Sequence, residues 1–297
     1  MKKFVIVSDS CCDLSKELRE KYEIDYIPMH VSCEGKEYLA DLDWKELSVQ
    51  EFYGMMRQGK RFITAQVTAL QYTEAFEKYI NDGYDVLSIS CSSALSGSYQ
   101  SSLMIKEQLA SKYPQAKIVC VDSLNSCMGL GLMCIMASEL RSQGKTIEET
   151  AKWVEDNKLK VNQECSVESL KYLKQAGRVS ALSAFFGGLL SVKPIIVSDV
   201  NGMNVAIEKV KGRMTSIDTI VQRSADEYTG EWNKVAVVHA DCEMDHNVLV
   251  DKVKSILPKD VEVITGTIGP IIGASAGPGT IAVYLLGKEV TFDSRNK

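Results

Sequence analysis

Val86-Leu-Ser-Ile-Ser-Cys-Ser-Ser-Ala-Leu-Ser-Gly-Ser-Tyr-Gln-Ser-Ser102 decides how this chain is read. Val86 to Ile89 has the apolar character of a buried strand, a Ser/Gly run follows, and Tyr99 to Lys112 carries a helical pattern. The first N–H groups of a helix lack intrahelical partners, and the helix dipole favours negative charge there. A strand running through hydroxyls into a helix therefore has the parts of an anion site. Ser92, Ser93, Ser96 and Ser98 add hydroxyl donors. The same residues equally suit a βα turn with a serine cap and no ligand, and this stretch alone leaves both readings open.

Outward from this turn, strand and helix alternate. Phe4 to Val7 reads as a strand leading through Ser8-Asp9-Ser10 into a helix over Leu14 to Tyr22, which puts an Asp-Ser pair at a strand's carboxyl end, where open α/β sheets hold ligands. Ile24 to Val31 reads as one extended segment, and Thr64 falls in a loop. Capping boxes at Ser48–Glu51, Thr68–Gln71 and Thr146–Glu149 open helices, Lys117 to Val121 reads as a strand, and a helix spans about Asn125 to Gln143. The pattern predicts an N-terminal three-layer α/β/α domain with a mostly parallel sheet over residues 1–160.

The pattern changes near Lys158. Helices are predicted over Ser166 to Gln175, Ala181 to Leu190, Ser216 to Tyr228 and Asn247 to Ile256. Strands are predicted at Pro194 to Ser198, Val205 to Lys209, Val235 to His239, Val261 to Thr267 and Ile281 to Leu286. Asp199-Val-Asn-Gly202 signals a hairpin. Residues 161–297 thus read as a C-terminal α+β domain, a mixed sheet with helices on one face.

A formal net charge of −5 and a pI near 5.4 argue against nucleic acid as the principal partner, while leaving room for a local basic patch that meets a partner or a membrane surface. Nine cysteines, an odd number without a CxxC pair, suggest neither a disulfide framework nor a zinc ribbon and fit a reducing cytoplasm. The apolar run after Met1-Lys-Lys breaks at Ser8-Asp9, too soon for a secretory leader, and no apolar stretch reaches membrane-spanning length.

Gly273-Ala-Ser275-Ala-Gly277 matches the GxSxG nucleophile elbow. That motif needs a strand before it, a helix after it, and an acid and a histidine later in the chain. Here a strand-like segment follows, and His30, His239 and His246 all precede Ser275, so the match reads as accidental. Gly144-Lys-Thr146 lacks the first glycine of a phosphate loop, and Asp241-Cys-Glu-Met-Asp-His246 has no standard metal spacing. No catalytic, metal or cofactor site is expected.

The segment SSALSGSYQS resembles the SSxLSGTYQS signature of the DegV family of bacterial fatty-acid-binding proteins. Further family motifs recur in order: Asp9-Ser10 with Asp13-Leu14, Ile63-Thr-Ala-Gln66, Asp122-Ser123, Leu170 to Arg178, Val192-Lys-Pro-Ile195, and Ile268 to Gly273 with Gly277-Pro-Gly279. The resemblance implies a carrier that holds one long-chain fatty acid between its two domains, with no cofactor, and presents the carboxyl group to a separate ATP-dependent fatty acid kinase subunit. By matching position it implies Thr64 and Ser96 as carboxylate ligands, with Ser93, Gly97 and Ser275 beside them. Phe185 and Phe186, in Ala184 to Leu190, are the candidates for the tail tunnel, and Arg178, Lys211 and Arg213 for the partner surface. Two departures stand out: Ser275 replaces the family's usual His, and Lys211 replaces a frequent Arg. The competing readings are a serine hydrolase or acyltransferase on lipid esters using Ser96 or Ser275, and a carrier of a different hydrophobic acid.

Overall fold

The computed structural model describes residues 3–181 and 192–296. The first half runs β1 (Phe4–Asp9), α1 (Lys16–Lys21), β2 (Ile24–Ile27), β3 (Met29–Cys33), β4 (Lys36–Ala40), α2 (Val49–Arg57), β5 (Ile63–Ala65), α3 (Ala69–Asn81), β6 (Asp85–Ser90), α4 (Ser98–Lys112), β7 (Ile118–Asp122), α5 (Cys127–Ser142) and α6 (Ile147–Asn157). The second half runs β8 (Val161–Ser166), α7 (Lys171–Ala176), β9 (Ser180–Ala181), β10 (Val192–Ser198), β11 (Asn204–Lys211), α8 (Arg213–Glu227), β12 (Lys234–His239), α9 (Glu243–Ile256), β13 (Glu262–Thr267), α10 (Pro270–Ala276) and β14 (Ile281–Leu286).

The predicted mixture of a parallel and a mixed sheet is present. Strands β2-β1-β6-β7 form a parallel sheet, with α3 packed on α4 and α5 packed on α6. The mixed sheet has the order β13-β12-β14-β8-β10-β11-β9. Its β10–β11 hairpin turns at Gly202, whose φ of 73° suits glycine. All three predicted capping boxes form.

Several expectations are corrected. The segment Ile24 to Val31 is two strands: β2 joins the parallel sheet, whereas β3 joins β4 and β5 in a separate antiparallel sheet. Pro28, lacking an N–H and with its φ fixed, stands at the break. Thr64 lies in β5 rather than in a loop. Residues 161–166, not read as a strand, form the buried β8, and the helix placed at Ser166 begins only at Lys171. The apparent polarity of β8 is neutralised by distant partners: Glu164 meets Arg223 through both oxygens, and Asn162 donates to the Lys160 and Lys288 carbonyls. The helix predicted over Ala181 to Leu190 lies outside the described residues except for Ala181, which is in β9.

The mixed sheet is also covered on both faces, not one. Val235 and Val237 of β12 pack with α8 and α9, whereas Ala236 and Val238 belong to the core shared with the first half. Alternation of side chains along a strand produces this split. The second cover is α5, whose residues Cys127 to Ser138 are all buried and which touches β1, β2 and β6 as well as β8, β12 and β14. A helix apolar on every side must lie inside a core, and this one lies between the two sheets. At Gly131 an added Cβ would stand 2.5 Å from the Cys12 carbonyl oxygen.

Gly131→Ala is therefore expected to destabilise the fold by about 1–3 kcal/mol through overpacking. Gly54→Ala, in α2 with nothing within 4 Å of the new Cβ, should stabilise it by about 0.5–1 kcal/mol. Urea midpoints moving in opposite directions check both.

Candidate functional site

A cavity of about 370 Å³ opens where the carboxyl ends of β1 and β6, the start of α5 and the mixed sheet converge. Thr64, Ser96, Gly97 and Ser275, four of the residues expected at the ligand, line it together, and so does Arg178, which was expected at the partner surface. Much of the remaining wall is apolar: Leu95, Leu173, Ile196, Ile268, Ile271 and Ile272, with the sulfurs of Cys11, Met29, Cys91 and Cys165.

Local chemistry explains why these segments converge. Asp9 is fully buried and accepts from Cys11 N–H and Cys91 N–H, each at 2.9 Å, tying the end of β1 to the end of β6. Burial pushes its carboxyl above the usual range, against the opposing effect of those two N–H groups. Ser10 Oγ accepts from Met29 N–H at 2.8 Å, carrying the tie to β3. In the serine turn, Ser98 N–H donates to Ser96 Oγ at 3.2 Å and Val67 N–H donates to Ser98 Oγ at 3.3 Å, so the turn grips the segment after Thr64. The bare Gly97 lets the Gln66 amide lie against the turn, since a Cβ there would stand 2.0 Å from Gln66 Oε1 and push that side chain aside. Gln66 lines the cavity and was missed, although it stands inside the Ile63–Gln66 motif.

A smaller space of about 110 Å³ adjoins the first and shares Thr64, Arg178 and Ser275 with it. Lys60, Arg61, Lys171 and Arg178 line it, Lys60 paired with Glu34 at 2.8 Å, and among the described residues no acid lines it. The hydroxyls of Thr64 and Ser275 thus belong to residues on the boundary between a mainly apolar cavity and a cationic vestibule. An anion there would have positive charge nearby.

Other expected residues are placed elsewhere. Ser93 does not line the cavity; its N–H donates to Asp122 Oδ1 at 3.1 Å. Arg213 is 16% exposed and committed within the chain, to Asp245 at 2.8 Å and the Gly279 carbonyl at 2.7 Å, which leaves it poorly placed to meet a partner. Lys211 is exposed at the end of β11. Phe185 and Phe186 lie outside the described residues. Ser275 sits in the last turn of α10, not in a strand-to-helix elbow, and among the described residues no histidine lines either space. His239 and His246 stack on each other with ring centroids 4.5 Å apart, and burial lowers the affinity of both for a proton.

Asp13 is a further buried acid near this site. Neither carboxyl oxygen makes a hydrogen bond, although Gly269, which precedes α10, and Cys127, which starts α5, lie beside it. Burial pushes this carboxyl up to about 8.

The described fold matches known proteins along nearly its whole length. A family model described as "Uncharacterised protein, DegV family" matches residues 3–288. A DegV domain-containing protein of Clostridium perfringens is 37% identical over 289 residues, covering 97% of this chain and 98% of the relative. The structure of DegV, a fatty acid binding protein from Bacillus subtilis, superposes with a TM-score of 0.81 at 28% identity, covering 97% of this chain and 100% of the other. A stearic acid-binding protein of Eubacterium ventriosum superposes with a TM-score of 0.85 at 26% identity, covering 96% and 98%.

Asp13 gives stability a definite pH dependence. The folded carboxyl keeps its proton up to about pH 8, whereas an ordinary one releases it near 3.8, so unfolding between these values releases a proton. The group's stabilising contribution is complete below the lower value and is lost as pH rises through the upper one. Wild type should lose urea resistance across that window relative to Asp13→Asn, whose neutral amide does not titrate; parallel curves would exclude this role.

Proposed function

The chain belongs to the DegV family, and from that premise we propose that it is a carrier of one long-chain fatty acid that presents the acid's carboxyl group to a separate ATP-dependent kinase subunit. A division of the chain at residue 160, with the ligand between the two parts, belongs to the same proposal, as do a cytoplasmic location and transient contact with a membrane surface. The observation that carries it is the boundary between the two spaces: Thr64 and Ser275, with Ser96 close by, stand where apolar walls give way to Lys60, Arg61, Lys171 and Arg178. A buried carboxylate needs hydroxyl or N–H donors and gains from nearby cations. A hydrocarbon tail needs the apolar wall.

The energetics are adequate. Burying a sixteen-carbon chain yields roughly 0.8 kcal/mol per methylene, about 12 kcal/mol gross. Association and ordering cost ~4 kcal/mol or more, which leaves about 8 kcal/mol, or micromolar binding, from the tail before the carboxylate's own hydrogen bonds add to it. A serine hydrolase would need a base for its nucleophile, and among the described residues neither Ser96 nor Ser275 has a histidine beside it in the cavity wall. The proposed division of labour leaves phosphoryl transfer to the partner.

Protein purified from a bacterial host should carry about one equivalent of fatty acid, and delipidated protein should rebind it. The double change Thr64→Val with Ser96→Ala should weaken binding by ~1.5–3 kcal/mol for each hydrogen bond to the carboxylate that is lost. Mass spectrometry of extracted lipid and titration with a fluorescent fatty acid check these outcomes. Delipidated wild type that binds no fatty acid would refute the carrier.

A further inference from the structure

The mixed sheet contributes polar side chains to a cavity that a plain hydrocarbon tail would leave unsatisfied. Gln163 and Tyr284 face each other across β8 and β14, are 6% and 4% exposed, and line the cavity. Tyr284 OH donates to Gln163 Oε1 at 3.3 Å, Gln163 Nε2 donates to Asn204 Oδ1 at 3.0 Å, and Asn204 Nδ2 donates to the Arg178 carbonyl at 3.2 Å. An amide nitrogen carries two hydrogens, so Gln163 and Asn204 each retain one that these bonds do not use. Ser126, before the first turn of α5, is 5% exposed and lines the same cavity, and its side chain makes no capping hydrogen bond. Polar groups pressed against hydrocarbon without partners oppose binding. A wall made only for an alkyl chain is better served by leucine and phenylalanine, which suit strands as well or better.

On the premise that this cavity holds a fatty acid, we propose that the Gln163–Asn204–Tyr284 group with Ser126 selects an acid bearing an oxygen on its chain, a hydroxy or keto fatty acid. The chain oxygen accepts from Gln163 and Ser126 through hydrogens that no described residue uses, while the carboxylate sits at the Thr64–Ser275 boundary. The ligand is thereby held at two polar points with hydrocarbon between or beyond them. A site built to bond a polar group discriminates strongly against the analogue that lacks it, because its own buried donors are then left unpaired.

The test is calorimetric titration of delipidated protein with octadecanoic acid and with its positional series of monohydroxy and monooxo derivatives. At least one derivative should bind about tenfold or more tighter than the plain acid. Gln163→Leu and Ser126→Ala should each lower that ratio; the second removes one hydroxyl and keeps the fold testable if the first does not. If octadecanoic acid binds as tightly as every derivative, the selection is refuted and the carrier reading stands. If the wild-type preference survives both substitutions, the assignment to these residues is refuted. If neither plain nor oxygenated acids bind, both readings fall.

Discussion

Everything in this molecule depends on α5 being apolar all the way round. Its buried residues Cys127 to Ser138 give one face to the parallel sheet and another to the mixed sheet, so neither sheet completes its core alone. Each fully buried Leu, Ile or Met in it contributes roughly 1.5–3 kcal/mol. The helix begins at Cys127, and the space between the sheets beyond its first turn is not filled by it. The cavity lies there, with Ser126 in its wall. It is what remains when two sheets are held apart by a helix that stops short.

The electrostatic layout follows from the same arrangement. Behind the wall formed by Cys11 and Cys91 lie the buried acids Asp9 and Asp13, neither of which lines the space, while the vestibule beyond Thr64 supplies cations. Asp9 is absorbed by backbone N–H groups and serves as a brace. Asp13, without such bonds, holds its proton instead. An anion entering from the vestibule therefore meets cations first.

What was legible in the sequence was what depends on neighbours in the chain. The three capping boxes and the Gly202 hairpin are local devices, and each formed where it was read, whereas the helix after the serine turn has Gly97 at its N-cap with no side-chain hydrogen bond rather than a serine cap. Thr64, Ser96, Gly97 and Ser275 were legible through short motifs shared with a known family, and they meet in one wall, where Arg178 joins them although the same motifs put it at the partner surface. Strand β8 was not legible: Asn162-Gln-Glu-Cys-Ser166 reads as polar until Arg223, Asn204 and the Lys288 carbonyl are known to meet it. Gln163 and Tyr284 escaped notice for the same reason, since their pairing exists only across two strands 121 residues apart. The commitment of Arg213 to Asp245 and Gly279 was equally invisible, because a charged residue at a helix start ordinarily points to water.

The buried thiols have a consequence for how the protein is lost. Eight of the nine cysteines are buried, and burial pushes Cys134 and Cys165 up to about 12. In the folded chain they are thiols shielded from oxidants, and inert. Unfolding exposes all of them together, and their reactivity then returns to that of ordinary cysteine. In an oxidising medium a chain held unfolded by heat forms disulfides among these thiols, and to that extent its survival follows the rate of opening rather than an equilibrium between two states. The same residues that keep the core dense become the route by which an unfolded chain is trapped outside a reducing medium.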